Sequence, residues 1–493
     1  MSASLRVDEA LASLPPHGLA IVDADGTEHR WGDLRRGAQV GAASFGDVAP
    51  GDRVGLLVAP GARWVSSLLA LWRRGAVAVP LSPLHPPRER ARLLAEVRAR
   101  HWVVDPEHRC PEVGATALVP APTSGPDGDG GSSFSVETRE ERALILFTSG
   151  TTGRPKGAQL THRQLAHQGQ LLGRAWRLGP ETRLLHALPL HHMHGIAIAL
   201  LPTLQAGGAA RCLPRFDAET VWERFSSVDV FMGVPAMYHR LLARYDAAPP
   251  ERQRAWRAGA TALTLCTSGS AALPITLAAR WRAIHGHIPL ERYGMTEIGV
   301  GCSNPFDPDA RRRGTVGPPL PTQSMRIVDG AGRDTDEGEV WVKGPSVFAG
   351  YFERPEANRE AFVDGWFKTG DVGRFEADGS LRLLGRRSVD IIKSGGYKLS
   401  ALEIEEALRD HPAVADVAVV GVPSEAWGEA AIAVVVPARE ASADDLRTWC
   451  KDHLAAYKVP RVVTFVDALP RNALGKVQKP ALRDTLAKSN LTG

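Results

Sequence analysis

Thr148-Ser149-Gly150-Thr151-Thr152-Gly153-Arg154-Pro155-Lys156-Gly157 is the stretch on which the fold turns. It follows directly on Ala143 to Phe147, an apolar run whose length and content predict a buried strand. Small hydroxyl residues and glycines let backbone N–H groups and side-chain hydroxyls come close to a polyphosphate, and Lys156 adds a point charge. This is not a Walker A loop, because Lys156 is followed by Gly157 rather than Ser or Thr. The competing reading is an ordinary Gly/Ser/Thr surface loop; the preceding strand favours the phosphate loop.

On either side, apolar runs bounded by Gly and Pro alternate with amphipathic segments. Asp229 to Val234 and Ala262 to Cys266 read as further strands, and Ala218 to Ser226 and Pro235 to Tyr245 as helices. Such alternation predicts an α/β fold. Pro120 to Ser135 is Gly/Pro/Ser-rich and reads as a connection. The last hundred or so residues form a compact α+β pattern. Ser400-Ala401-Leu402-Glu403 is a capping box opening a helix towards Asp410. Strands are expected at Val417 to Gly421, Ala431 to Val436 and Val462 to Val466, with a second helix starting at Ser442-Ala443-Asp444-Asp445. The boundary is expected near Gly385-Arg386, after a strand Leu381 to Leu384, giving units 1–385 and 386–493.

The composition excludes several classes. At 493 residues, with 44% hydrophobic residues, the chain amounts to about three domain equivalents and needs no disulfide or metal staples. Lys plus Arg number 59 and Asp plus Glu 55, a net charge of +4, too even for a basic nucleic-acid binder or an acidic tail protein. The five cysteines are odd in number and widely spaced with no CxxC pair, which predicts buried thiols in a reducing compartment. MSASLRVDEALASLPP lacks a basic segment followed by an apolar run and carries Asp8 and Glu9, unlike a secretory or transit peptide. No run approaches a membrane span, and Ile196 to Leu201 is expected to stop at Pro202. The expectation is a soluble, cytoplasmic enzyme with neither nucleic acid nor membrane as partner.

The quoted stretch resembles the phosphate loop of the adenylate-forming superfamily: acyl-CoA synthetases, luciferases and the adenylation domains of peptide synthetases. The resemblance continues in order along the chain. Ser268-Gly269-Ser270-Ala271-Ala272-Leu273 resembles the adenine-side loop, and Tyr293-Gly294-Met295-Thr296-Glu297 is similar to the YGxTE motif. Gly338-Glu339-Val340 with Lys343-Gly344-Pro345 resembles the following hairpin, and Trp366 to Asp371 the TGD motif. Gly385-Arg386 to Glu405 resembles the hinge region, and Arg471-Asn472-Ala473-Leu474-Gly475-Lys476 the terminal lysine motif.

This resemblance implies a large N-terminal multi-sheet α/β body and a small mobile α+β C-terminal domain. It implies ATP, Mg²⁺ and CoA. The substrate carboxylate attacks the α-phosphorus, pyrophosphate leaves, and a thiol then attacks the acyl adenylate. No protein nucleophile is required. By resemblance, Thr148, Ser149, Gly150, Thr151, Thr152 and Lys156 bind the phosphates, and Ser268, Tyr293, Gly294 and Met295 belong to the nucleotide site, with Tyr293 on adenine. Thr296 would touch the α-phosphate, and Glu297 would hold Mg²⁺, which prefers hard oxygen ligands. Asp371 would accept the ribose hydroxyls and Arg386 would fix ribose and phosphates. Lys476 would bridge carboxylate and α-phosphate, stabilising charge that builds in the transition state. Gly395, Gly396, Tyr397 and Lys398 carry the pattern for the CoA half-reaction, in which the small domain swaps faces. Many members have one residue fewer after the Gly-Arg pair, which puts Ser388 or its neighbour at the hinge.

The acid is read from Arg292, which directly precedes the YGMTE motif at a position lining the acyl pocket in the family. A buried arginine without a partner is unfavourable by several kcal/mol, so its natural role is to pair with an anion. A second carboxylate on Arg292 makes the substrate a short dicarboxylate; the competing reading pairs Arg292 with Glu291 or another internal acid. His191-His192-Met193-His194-Gly195 adds polarity without Cys or acidic neighbours that would suggest a metal. His192 is the first candidate for a gate-like role and His194 the second, although either could be a core histidine. Ser270 can donate a further hydrogen bond. Arg292, His192 and Ser270 together resemble the malonyl-CoA synthetase group, implying malonate or methylmalonate as substrate. The alternatives are a medium-chain or aryl acid, or a carrier protein in place of CoA.

Overall fold

The strand Arg142–Thr148 runs antiparallel to Lys156–Thr161, and Thr148 sits opposite Lys156. The quoted stretch therefore lies between two paired antiparallel strands. The computed structural model describes residues 6–111, 113–123, 141–148, 155–387, 389–394, 397–424, 427–472 and 475–488. Ser149, Gly150, Thr151 and Thr152 of the loop, Ser388 of the hinge, Gly395, Gly396, Ala473 and Leu474 lie outside them, and only the main chain of Tyr397 and Lys398 is described.

The hairpin forms one edge of a six-stranded sheet, continuing through Val77–Pro80, Arg53–Leu57, His101–Val104 and Thr116–Leu118, all mutually parallel. An eight-stranded sheet runs in the order Gly299–Ser303, Leu290–Met295, Leu265–Ser268, Val230–Gly233, Arg183–His186, Ala209–Cys212, Leu19–Val22, Glu28–Arg30. Its inner strands are parallel and both edge pairs antiparallel. Inner strands such as Val230–Gly233 are buried along their whole length, as sheets covered by helices on both faces require. A third, antiparallel sheet comprises Ser324–Val328, Glu337–Lys343, Trp366–Phe375, Phe362–Val363 and Leu381–Arg386.

From Ile391 onward a separate five-stranded sheet is built from Ile391–Ser394, Tyr397–Ser400, Val414–Ser424, Gly428–Pro437 and Val462–Phe465. Its two faces carry their own buried clusters, one around Ile404, Val419 and Leu446, the other around Val420, Val434 and Leu482. The observed architecture is thus a large mixed α/β body followed by a small α+β unit.

Local chemistry moves several predicted boundaries. The strand expected at Ala262 to Cys266 begins at Leu265, because the Ala-rich stretch before it continues the helix Pro250–Thr261. A π-helix, His194–Leu200, passes into the helix Leu201–Gln205, whose first turn accommodates a proline that donates no N–H. Ser400 accepts from the Glu403 amide at 3.3 Å, but Glu403 turns to Lys458 instead of closing the box, since Ser400 ends a paired strand. The box at Ser442 and Asp445 is reciprocal, at 3.2 and 3.1 Å. All five cysteines are free thiols; Cys212, Cys266, Cys302 and Cys450 are buried. No described helix is long and apolar enough to cross a membrane.

Candidate active site

Three elements meet behind the hairpin. The segment Phe348 to Phe352 is stitched to the returning strand, with Gln159 N–H on Gly350 O at 3.0 Å and Phe352 N–H on Gly157 O at 2.8 Å. The Phe348 amide donates to Glu297 O at 2.8 Å. This places Lys156 Nζ 5.1 Å from the Tyr351 ring centroid and the Tyr351 hydroxyl 2.9 Å from Glu297 Oε1. Tyr351 went unread in the sequence; its signal was only a tyrosine after Gly350, whose φ of 113° turns the chain. Glu297 is 4% exposed, and burial pushes its carboxyl above the usual range, opposed by the Tyr351 hydroxyl.

Thr296 and Glu297 sit on the tight turn between Leu290–Met295 and Gly299–Ser303. Gly294 must be glycine here: a Cβ would lie 2.2 Å from Gly299 O. One strand residue earlier, Tyr293 reaches across to the third sheet. Its hydroxyl donates to Asp371 Oδ2 at 2.6 Å, while Arg386 Nε donates to Asp371 Oδ1 at 2.9 Å and Arg386 Nη2 to Thr369 O at 3.0 Å. Asp371 and Arg386 are direct cross-strand partners. Tyr293 is 7% exposed with its hydroxyl fixed on Asp371, and burial together with that carboxylate raises the phenol well above its ordinary range. Ser268 ends its strand with a buried Oγ that has no hydrogen-bond partner among the described residues. Met295, next to Gly294, is half-buried.

Arg292 is 3% exposed, and its Nε and Nη2 have no hydrogen-bond partner among the described residues. Burial lowers its pKa to about 10. The guanidinium lies against Gly269, where a Cβ would approach Cζ to 2.4 Å. Glu291 does not answer it. Adjacent strand residues face opposite sides of a sheet, and burial raises Glu291 to about 8. His194, 6% exposed, places Nδ1 3.3 Å from Ser270 Oγ and leaves Nε2 without a partner among the described residues. Burial and the neighbouring Arg292 charge hold His194 well below the usual imidazole range, hence neutral. Ser270 carries φ of +68°. His192, the first candidate from sequence, packs instead against His191, with ring centroids 4.2 Å apart and planes tilted by 48°, and burial lowers it to about 4. The fold thus gathers Arg292, Ser270 and His194, because the π-helix starts at His194 and Gly195 lets it press on Pro189 O.

Lys476 lies on a hairpin whose ends bridge at Arg471 and Val477. Asn472 braces it, with its N–H on Lys476 O at 2.9 Å and its Oδ1 accepting the Lys476 amide at 2.9 Å. Gly475, at φ of +76°, abuts the helix Pro235–Asp246: a Cβ there would lie 2.7 Å from Ala236 Cβ. The Lys476 side chain is exposed. After the hinge, Asp390 accepts from the Arg386 amide at 3.0 Å and from Lys479 Nζ at 2.5 Å, and Lys479 also meets Glu405 at 2.6 Å. No cluster of three or more metal-ligating side chains occurs among the described residues. A single buried carboxylate on Glu297 suits a magnesium ion whose other ligands come from phosphates and water.

Comparison with known proteins agrees with this layout. Residues 8–352 match the family described as AMP-binding enzyme, and residues 403–476 match the AMP-binding enzyme C-terminal domain. Malonate–CoA ligase ACSF3, mitochondrial, of Bos taurus is 39% identical, covering 94% of this chain and 87% of its own. The crystal structure of ATP-bound MatB from Rhodopseudomonas palustris matches with a TM-score of 0.86 at 36% identity, over 98% of this chain and 100% of that one. A malonyl-CoA ligase ternary product complex with methylmalonyl-CoA and AMP bound matches at 0.69 and 34% identity, over 94% and 99%.

Proposed function

The chain belongs to the AMP-binding enzyme family, and from that premise we propose that it is an AMP-forming malonate–CoA ligase, with methylmalonate as the alternative acid. The observation that carries the choice of acid is Arg292, a buried guanidinium with two nitrogens that have no hydrogen-bond partner, and no ion-pair partner, among the described residues. A fatty or aryl acid would leave it unanswered; a dicarboxylate supplies the anion. The Ser270 hydroxyl and the neutral His194 imidazole complete a polar end for that second carboxylate.

In this reading the first carboxylate attacks the α-phosphorus of ATP and pyrophosphate departs. Lys156 and Thr148, with Ser149, Gly150, Thr151 and Thr152, hold the phosphates. Thr296 meets the α-phosphate, and Asp371, fixed by Tyr293 and Arg386, receives the ribose. Lys476 brings a cation to the developing charge from a hairpin already braced by Asn472, so little reorganisation is needed at the moment of reaction. Glu297 would hold Mg²⁺, which when bound neutralises phosphate charge. CoA thiol then displaces AMP, approaching past Gly395, Gly396, Tyr397 and Lys398. The unit 386–493 moves against 1–385 between the two steps, and five free thiols support a cytoplasmic setting.

A substrate panel read by AMP release decides the acid. Malonate or methylmalonate is expected to exceed acetate, octanoate and benzoate in kcat/KM. A higher value for octanoate or benzoate rules out the dicarboxylate.

A further inference from the structure

The helix Ile275–His285 begins with an uncapped end. Its N-cap residue is Pro274, which has no side-chain acceptor, and its first turn holds no acidic residue. The first backbone N–H groups of a helix need acceptors from elsewhere. Here the acceptor comes from the other side of the domain boundary. Glu406, on the small-unit helix Ala401–Arg409, places Oε1 2.7 Å from the Ile275 amide nitrogen. Arg409 lies 3.5 Å from the other Glu406 oxygen and orients the carboxylate. On the same side of the small unit, Gly475 of the Lys476 hairpin abuts Ala236.

We propose that Glu406 is a positioning residue: it supplies in trans the N-cap that Ile275–His285 lacks, and so registers the Lys476 hairpin over the body for adenylation. The proposal rests on the ligase reading above. A helix end whose first amide, among the described residues, is answered from the small unit keeps that acceptor in one arrangement and loses it when the unit turns away. Removal of the cap therefore weakens adenylation selectively. Thioester formation, for which the small unit must turn away, does not use the contact.

The test compares the full-length chain with Glu406→Ala and Glu406→Gln. Malonate-dependent ATP–pyrophosphate exchange reads adenylation, and release of AMP from synthetic malonyl-adenylate with CoA reads the second step. Loss of one N-cap acceptor corresponds to a drop of about five-fold in exchange for Glu406→Ala, with the second step within about two-fold of wild type. Glu406→Gln keeps an acceptor oxygen and is expected to restore most of the exchange. Hydrogen exchange at the Ile275 amide, measured without substrate, should accelerate in Glu406→Ala and not in Glu406→Gln. Equal loss in both half-reactions, or an Ile275 amide as protected as in wild type, overturns the proposal. If wild type fails to exchange pyrophosphate with malonate, the ligase reading fails, and the Ile275 measurement still decides the contact.

Discussion

A guanidinium that is nearly inaccessible and half unbonded is retained only where something charged completes it. That makes Arg292 the residue whose removal is most informative. Truncating one partner of a buried charge pair costs about 2–5 kcal/mol. Arg292→Ala is therefore expected to lower kcat/KM for malonate by roughly 30-fold to several thousand-fold. The KM for ATP should stay within about two-fold, because the proposed nucleotide residues Tyr293, Asp371 and Arg386 are bonded to one another and not to Arg292. Steady-state kinetics with each substrate varied in turn checks this, and a parallel loss for ATP refutes the assignment. Arg292 was legible in the sequence because it abuts a motif whose geometry is fixed. The choice between His192 and His194 was not legible: they lie two residues apart, and only the wide turn starting at His194 separates their surroundings. Tyr351 was invisible for another reason. It touches Lys156 and Glu297, which are distant in sequence and joined only when the hairpin packs on Phe348 to Phe352.

At the level of elements, strands and helices with strong local signals emerged where composition put them, as in Arg142–Thr148 and Pro235–Asp246. What the sequence concealed depends on partners. The Ser400 box lost its second half because Glu403 found Lys458. The π-helix has no periodicity signature that a short apolar run could display. The Lys476 hairpin shows how tightly one element can be specified. Gly475 combines a left-handed conformation with contact to Ala236, so Gly475→Ala meets both backbone strain of about 1–2 kcal/mol and a steric clash. Pyrophosphate exchange is expected to fall about ten-fold or more, since displacement of a catalytic group by an ångström has that effect. The melting temperature should change by only a few degrees, for a single strained turn in a long chain. An unchanged exchange rate would show that the hairpin tolerates the shift.

Across the whole molecule, the net charge of +4 conceals where charge matters. The body also buries a carboxyl, Glu291, whose pKa rises to about 8 through burial. A carboxyl raised above its unfolded value of about 4.3 contributes stability that is fully present below that value, falls as pH rises from there, and is gone once pH has passed about 8. Wild-type stability is therefore expected to decline between about pH 5 and 8 and to level off above that. Glu291→Gln, which mimics the protonated form, should decline less. Within that window each pH unit changes the difference by about 1.4 kcal/mol, or about 1–2 °C in melting temperature for a chain of this size. Thermal scans across that range decide it, and identical slopes for the two proteins would exonerate Glu291. The buried thiols have a different consequence. A thioester product is an acyl donor to any thiolate nearby. Burial raises Cys212 to about 12, Cys450 to about 11, and Cys266 and Cys302 higher still. The thiol, not the thiolate, is then the resident form. A catalyst that manufactures activated acyl groups thereby keeps these four sulfurs largely in the thiol form, a poor acceptor for its own product.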